Sequence, residues 1–162
     1  MKSLITLLAL MLLGTSTFAE GDSFQALRDG DHVLLLRHAI APGFGDPAGI
    51  ELDDCATQRN LSEEGRQQAR AIGGRLRAEG LGDAAVYTSE WCRGRDTAEE
   101  IALTEAQPHP GLNSFFRNRE QRDEIVAELR DLLGELANGP PAVLVTHQVN
   151  IRAVTGQGVR SG

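Results

Sequence analysis

The stretch VLLLRHAIAPGFGDPAG, Val33 to Gly49, decides how the chain is read. Residues 32–37 are apolar on both faces, as strands of a parallel sheet are, and they read as a buried strand. The strand ends on Arg37 and His38. The Gly, Pro and Asp residues that follow make residues 43–57 a loop. A buried strand that delivers two nitrogen-bearing side chains to its carboxyl end raises the question of what they meet there.

Working outward, strands and helices alternate. Ser62 caps a helix running to about Glu79, with Ala69, Ile72, Gly73 and Leu76 at 3–4 spacing and Gly80 as its stop. Residues 84–88 form a second short strand, and residues 90–103 a second helix. Residues 108–112 hold a short extended piece. Residues 118–137 are a long helix with Ile125, Leu129, Leu132, Leu133 and Leu136 on one side, closed by Asn138, Gly139 and Pro140. AVLVT, residues 142–146, is another buried strand, and residues 149–155 start a helix. This order predicts an α/β domain: three layers, α/β/α, around a mostly parallel sheet with right-handed crossovers.

In such sheets ligands bind outside the carboxyl ends of the strands. Arg37 and His38 end the first strand, Thr88 and Ser89 the second, and Thr146 and His147 the last. Arg93 lies one helical turn beyond Ser89, at the start of a helix. If the strands are parallel neighbours, two histidines, two arginines and a helix N-terminus converge, and these are partners for a phosphate dianion. His32 and His109 lack this context and read as structural or surface residues.

The first residues form a separate unit. Lys2, the apolar run 4–13 and the small residues at 17 and 19 read as a secretory signal cleaved after Ala19, which implies a periplasmic or secreted protein. An uncleaved N-terminal anchor is the alternative. The remainder, residues 20–162, is one domain with a single core. Its fifteen arginines face twenty-three acids, a net charge of −8. That balance argues against nucleic acid and against stable association with an anionic membrane, both of which need a broad basic footprint. It leaves room for a local arginine cluster around one compact anion, and it leaves the oligomeric state open. Cys55 and Cys92, an even pair behind a secretion signal, read as a disulfide, with two buried free thiols as the alternative. Without histidines at ligand spacing, no metal site is expected.

The segments LLLRHA, NLSEEGRQQA, YTSEWCRGRDTA and VLVTHQ, in that order, resemble the histidine phosphatase superfamily and its phosphoglycerate-mutase-like fold. The stretches CATQRNLS and SEWCR resemble its small secreted bacterial members. The resemblance implies a metal-independent and cofactor-free phosphatase acting on a small phosphorylated substrate. His38 matches the nucleophile that becomes a phosphohistidine. Arg37, Arg93 and His147 match residues that hold the phosphate, whereas Ser89 and Thr97 match positions that bind substrate or, more often, support the pocket. An imidazole attacks phosphorus only when neutral, so His38 is expected to keep one ring nitrogen bare and donate the other N–H to a backbone carbonyl.

The chain also departs from the pattern. Ala39 stands where many members have Gly. The acid that protonates the leaving group is a Glu before the long helix in some members, where this chain reads Leu112-Asn113-Ser114-Phe115-Phe116. In others it is an Asp after the second His, where this chain has Gln148. Either a loop acid replaces it, the candidates being Glu51, Asp53, Asp54 and Glu120, or the substrates need no protonation. Members also continue past the equivalent of Ser161-Gly162 into a final strand, so the domain is expected to be C-terminally incomplete. Trp91 reads as core packing or as the cover of an aryl or sugar group, and Phe115-Phe116 as a loop anchor or a substrate mouth. The competing function is a phosphate-binding module of the same fold without turnover.

Overall fold

The computed structural model describes residues 18–162. The signal-peptide reading falls almost wholly on residues 1–17, outside the described residues. Phe18 and Ala19 begin helix α1 (Phe18–Arg28).

Four strands form one parallel sheet among the described residues: β1 (Leu34–Arg37), β2 (Ala85–Thr88), β3 (Ala106–Pro108) and β4 (Ala142–Thr146), in the order β1-β4-β2-β3. The strand with the strongest apolar run, β4, takes a central place and is buried at all five positions. This is what AVLVT, apolar on both faces, requires of a sheet covered on both sides.

Successive side chains point to opposite faces of the sheet. Leu34, Leu36, Val86, Val143 and Val145 pack in one cluster with Leu27 of α1, Ala69 and Leu76 of α2 (Glu63–Ala78), and Ala98 and Ile101 of α3 (Cys92–Ile101). Val33, Leu35, Ala85, Tyr87, Ala142 and Leu144 pack with Leu129 and Leu132 of α4 (Arg122–Leu136) and Val154 of α5 (Gln148–Thr155). The result is the expected three-layer α/β/α architecture. Ser62 caps α2 by accepting from Gly65 N–H at 3.1 Å, as its sequence position implies. A Cβ on Gly73 would stand 1.9 Å from the carbonyl oxygen of Ile101, so α2 and α3 approach as closely as they do only because residue 73 is glycine.

Three elements differ from the sequence reading. The third strand lies at Ala106–Pro108, and Pro110–Leu112 is a 3-10 turn rather than an extended piece. Pro110 has no N–H to offer a ladder, and His109 Nδ1 accepts from Gly111 N–H at 3.1 Å, which closes the turn. The long helix starts at Arg122, preceded by a 3-10 turn at Arg119–Gln121. Helix α1 was not expected; Leu27 sits in the core, and the Arg75 guanidinium lies over the Phe24 ring at 5.2 Å.

Candidate active site

The register places the chemistry. Arg37 lies level with Thr146, and Thr88 with Val145, so the residues that follow each strand emerge together. His38 N–H donates to the Thr146 carbonyl (2.9 Å) and Ser89 N–H to that of Val145 (3.0 Å), extending the ladder by one residue on each side of β4. The His38 and His147 rings then stand 5.3 Å apart, centroid to centroid, and Arg93 follows from the first turn of α3. Helix α5 begins directly after His147, and its residues Gln148 and Val149 line the same cavity as the histidines. The positive end of that helix therefore faces the cavity. The cavity measures about 670 Å³ and includes Arg37, His38, Arg93 and His147 in its wall.

Hydrogen bonds set the state of each ring. His38 Nδ1 lies 2.8 Å from the Ala39 carbonyl oxygen, which can only accept. Nδ1 therefore carries the proton and Nε2 is the bare nitrogen. Arg93 donates to His147 Nδ1 at 3.3 Å, so the proton of neutral His147 sits on Nε2 and is given to Ser89 Oγ at 3.0 Å. Ser89 is fully buried beneath His147 and does not line the cavity. Thr97 accepts from Ala39 N–H and donates to the Arg93 carbonyl, which couples the loop after β1 to α3.

Burial, and then the cations of Arg93, Arg37 and Arg59, hold the His38 imidazole down to about 3 from its usual 6.5, against the opposing effect of its bond to Ala39. Burial and the same arginines keep His147 well below the usual histidine range. Arg37 and Arg59 are themselves lowered by burial and by the neighbouring Arg93. The Nε–H groups of Arg37 and Arg93 are buried without a protein partner. A cluster of mutually repelling cations with unspent donors is suited to an oxyanion.

Two residues of this wall were missed in the sequence. Arg59 donates to the carbonyls of Ala41 and Gly45 and lines the cavity. Its position beside the Leu61-Ser62 helix start was the available signal. Asp46 lines the cavity as well, and its carboxylate takes both Nη atoms of Arg93, at 2.5 and 3.1 Å. Each side chain of this pair is 3% exposed. The acids named from sequence lie elsewhere: Glu51, Asp53, Asp54 and Glu120 are all absent from the cavity wall. Asp54 instead caps the 3-10 turn Cys55–Thr57 through Ala56 N–H, at 2.9 Å.

The aromatic residues divide. Phe115 is buried with Ile125 and Val126, anchoring its loop, and it also borders the cavity. Phe116 stacks edge-on against Phe44 at 5.2 Å, and the pair forms an apolar lip on the cavity. Phe44 is 89% exposed. Trp91 packs edge-on against His147 at 5.6 Å and lines a separate cavity of about 260 Å³, so it braces a histidine rather than covering the main opening. Arg119, Arg122 and Arg152 stand at the outer rim of the main cavity. His32 is exposed and His109 caps a turn; neither lines the cavity.

Cys55 and Cys92 form a disulfide with their Cα atoms 5.7 Å apart, tying the loop after β1 to the first residue of α3. Among the described residues no group of three or more His, Cys, Asp or Glu side chains gathers as a metal site, and no helix is long and apolar enough to cross a membrane. The last described residues run beside the outer edge of β1, where Gly162 N–H donates to the Arg37 carbonyl and Arg37 donates to that of Val159.

The family profile described as "Histidine phosphatase superfamily (branch 1)" matches residues 33–141. No curated protein matches the chain. Several solved structures share the fold. The protein histidine phosphatase SixA complexed with tungstate aligns at 18% identity over 80% of this chain and 81% of its own, with a TM-score of 0.52. The putative phosphohistidine phosphatase SixA from Agrobacterium tumefaciens aligns at 21% over 75% and 72%, TM-score 0.55. A mycobacterial glucosyl-3-phosphoglycerate phosphatase complexed with VO3 aligns at 20% over 76% and 79%, TM-score 0.54.

Proposed function

The chain belongs to the histidine phosphatase superfamily, and from that premise we propose that it hydrolyses phosphomonoesters through a phosphohistidine on His38. The observation that carries the reading is the His38 ring itself: Nδ1–H spent on Ala39, Nε2 bare, and the whole ring kept neutral inside an arginine cluster. Simple anion binding gains little from a neutral imidazole at its centre, whereas in-line attack on phosphorus needs one.

In this mechanism the substrate phosphate lies between Arg37, Arg59, Arg93 and the α5 N-terminus, which stabilise its oxygens as charge moves onto them. His38 Nε2 bonds to phosphorus while the ester P–O bond breaks. Water then attacks the phosphohistidine and phosphate leaves. His147, held by Ser89, Arg93 and Trp91, forms the second wall of the seat. Tungstate and VO3 in two proteins of the same fold support an oxyanion as occupant.

The outer arginines support a finer reading, a substrate with a further anionic group beyond the scissile phosphate, such as a phosphorylated surface sugar that also carries a carboxylate or a second phosphate. Arg119 and Arg152 are exposed on the cavity rim, while Arg66, Arg70 and Arg75 on the opposite layer are each paired with acids. The Cys55–Cys92 disulfide supports a periplasmic or secreted setting for this enzyme, in keeping with the small secreted type.

Rapid quenching with a radioactive aryl phosphate tests the reading. Acid-labile, base-stable label on His38 is expected, with turnover in His38→Ala falling at least about a thousandfold while inorganic phosphate still binds. An unlabelled wild-type protein that binds phosphate without turnover would establish the binding module instead.

A further inference from the structure

The Arg93–Asp46 pair is more than a surface ion bridge. Asp46 takes both Nη atoms of the arginine that holds substrate phosphate in the reading above, and one of those atoms also reaches His147 Nδ1. The pair is sealed from solvent, and Asp46 is the single carboxylate in the cavity wall among the described residues. Its loop is pinned at several points. Arg59 holds the Gly45 carbonyl at 2.6 Å, and Arg117 reaches the Asp46 carbonyl. Gly45, at φ 66°, adopts a left-handed backbone that favours glycine and turns the chain inward beside Asp46.

We propose that Asp46 is the proton donor to the leaving group, taking the place of the acids absent at residues 112–116 and at Gln148. The proposal rests on the phosphohistidine reading. Arg93 and Arg37 each retain a buried, unpartnered Nε–H, so a phosphate oxygen can join the cluster while Asp46 keeps its Nη contacts. The substrate enters as its monoanion, and the proton it carries is shared with the Asp46 carboxylate across the Arg93 fork. As His38 Nε2 bonds to phosphorus and the P–O bond breaks, the Asp46 carboxyl gives its proton to the departing oxygen. The carboxylate so formed takes a proton from the water that next cleaves the P–N bond, which releases phosphate and restores both groups.

The test compares two substrates on Asp46→Asn, an isostere that preserves size and a hydrogen-bonding oxygen. The leaving group of p-nitrophenyl phosphate departs as a stable anion; that of glycerol phosphate needs a proton. Asp46→Asn is expected to lose about 10²- to 10⁴-fold in kcat on glycerol phosphate and less than about tenfold on p-nitrophenyl phosphate. Asp46→Glu is expected to recover part of the glycerol phosphate rate. Equal losses on both substrates, or no loss on either, overturn the proposal and leave the phosphatase reading standing. A wild-type protein inactive on both substrates overturns both readings. Thermal melts of each variant separate misfolding from chemistry, and Asp46→Glu, which keeps the charge, supplies the second comparison should Asp46→Asn melt early.

Discussion

Gly94 touches no part of the cavity, yet the position of His147 depends on it. A Cβ at residue 94 would stand 2.2 Å from Ser89 Oγ and 3.2 Å from Thr88 Oγ1. Ser89 Oγ is what receives the His147 Nε2–H. Gly94→Ala is therefore expected to push Ser89 aside, release the His147 ring and cost roughly 10- to 100-fold in kcat/KM, a loss of the size that small misplacements produce. Steady-state kinetics with p-nitrophenyl phosphate, set beside a melting curve, would read it. At this scale the sequence was legible where strands end. Arg37, His38, Arg93 and His147 could be named because each is tied by short range to a recognisable strand or helix start, and the structure brings all four to one cavity. Asp46 carried no signal, and Arg59 only its nearness to the Ser62 helix start. Asp46 sits among turn formers, and what aims both residues inward is a set of contacts with Gly45, Ala41 and Arg93, all of them distant in sequence.

Among elements, the loop after β1 carries the most function and owes its place to cross-links rather than to regular structure. The disulfide joins its 3-10 turn to the first residue of α3, directly before Arg93. Closing a loop of about 38 residues contributes roughly 3–4 kcal/mol in the chain-entropy model. Reduction, or Cys55→Ser with Cys92→Ser, is expected to lower Tm by roughly 10 °C and to raise KM, since Arg93 loses its tethered neighbour. Calorimetry and kinetics with and without reductant check this. Element types with strong periodicity were read correctly: the buried run of β4 and the capped α2 needed only local chemistry. The short β3 was displaced because three residues, AQP, carry no period at all, and pairing with β2 alone makes them a strand. Helix α1 was overlooked because Phe24 and Leu27 give only one apolar step, completed by Arg75 and the core.

For the whole molecule, the two buried histidines link stability to acid. Folding holds His38 neutral down to about 3, whereas in the unfolded chain it titrates near 6.5. Between those values the unfolded state binds the extra proton. Stability is therefore complete above about pH 6.5 and is lost as pH falls toward 3, with His147 adding in the same direction. Urea midpoints at pH 7, 5.5 and 4 are expected to fall steeply in the wild type and less steeply in His38→Gln. In contrast, the His38 ring stays unprotonated well below pH 6, so under the proposed mechanism activity is expected to persist in mild acid once substrate ionisation is allowed for.

The strand order bears on how the protein comes into being. The strand that supplies His147 is wedged between the two that supply His38 and the Ser89–Arg93 corner. A polypeptide emerging from the ribosome accordingly holds open a slot at the middle of its sheet until β4 is synthesised, so no portion that stops short of β4 brings His147 to His38. Translation order thus makes the pairing of the two histidines wait on β4.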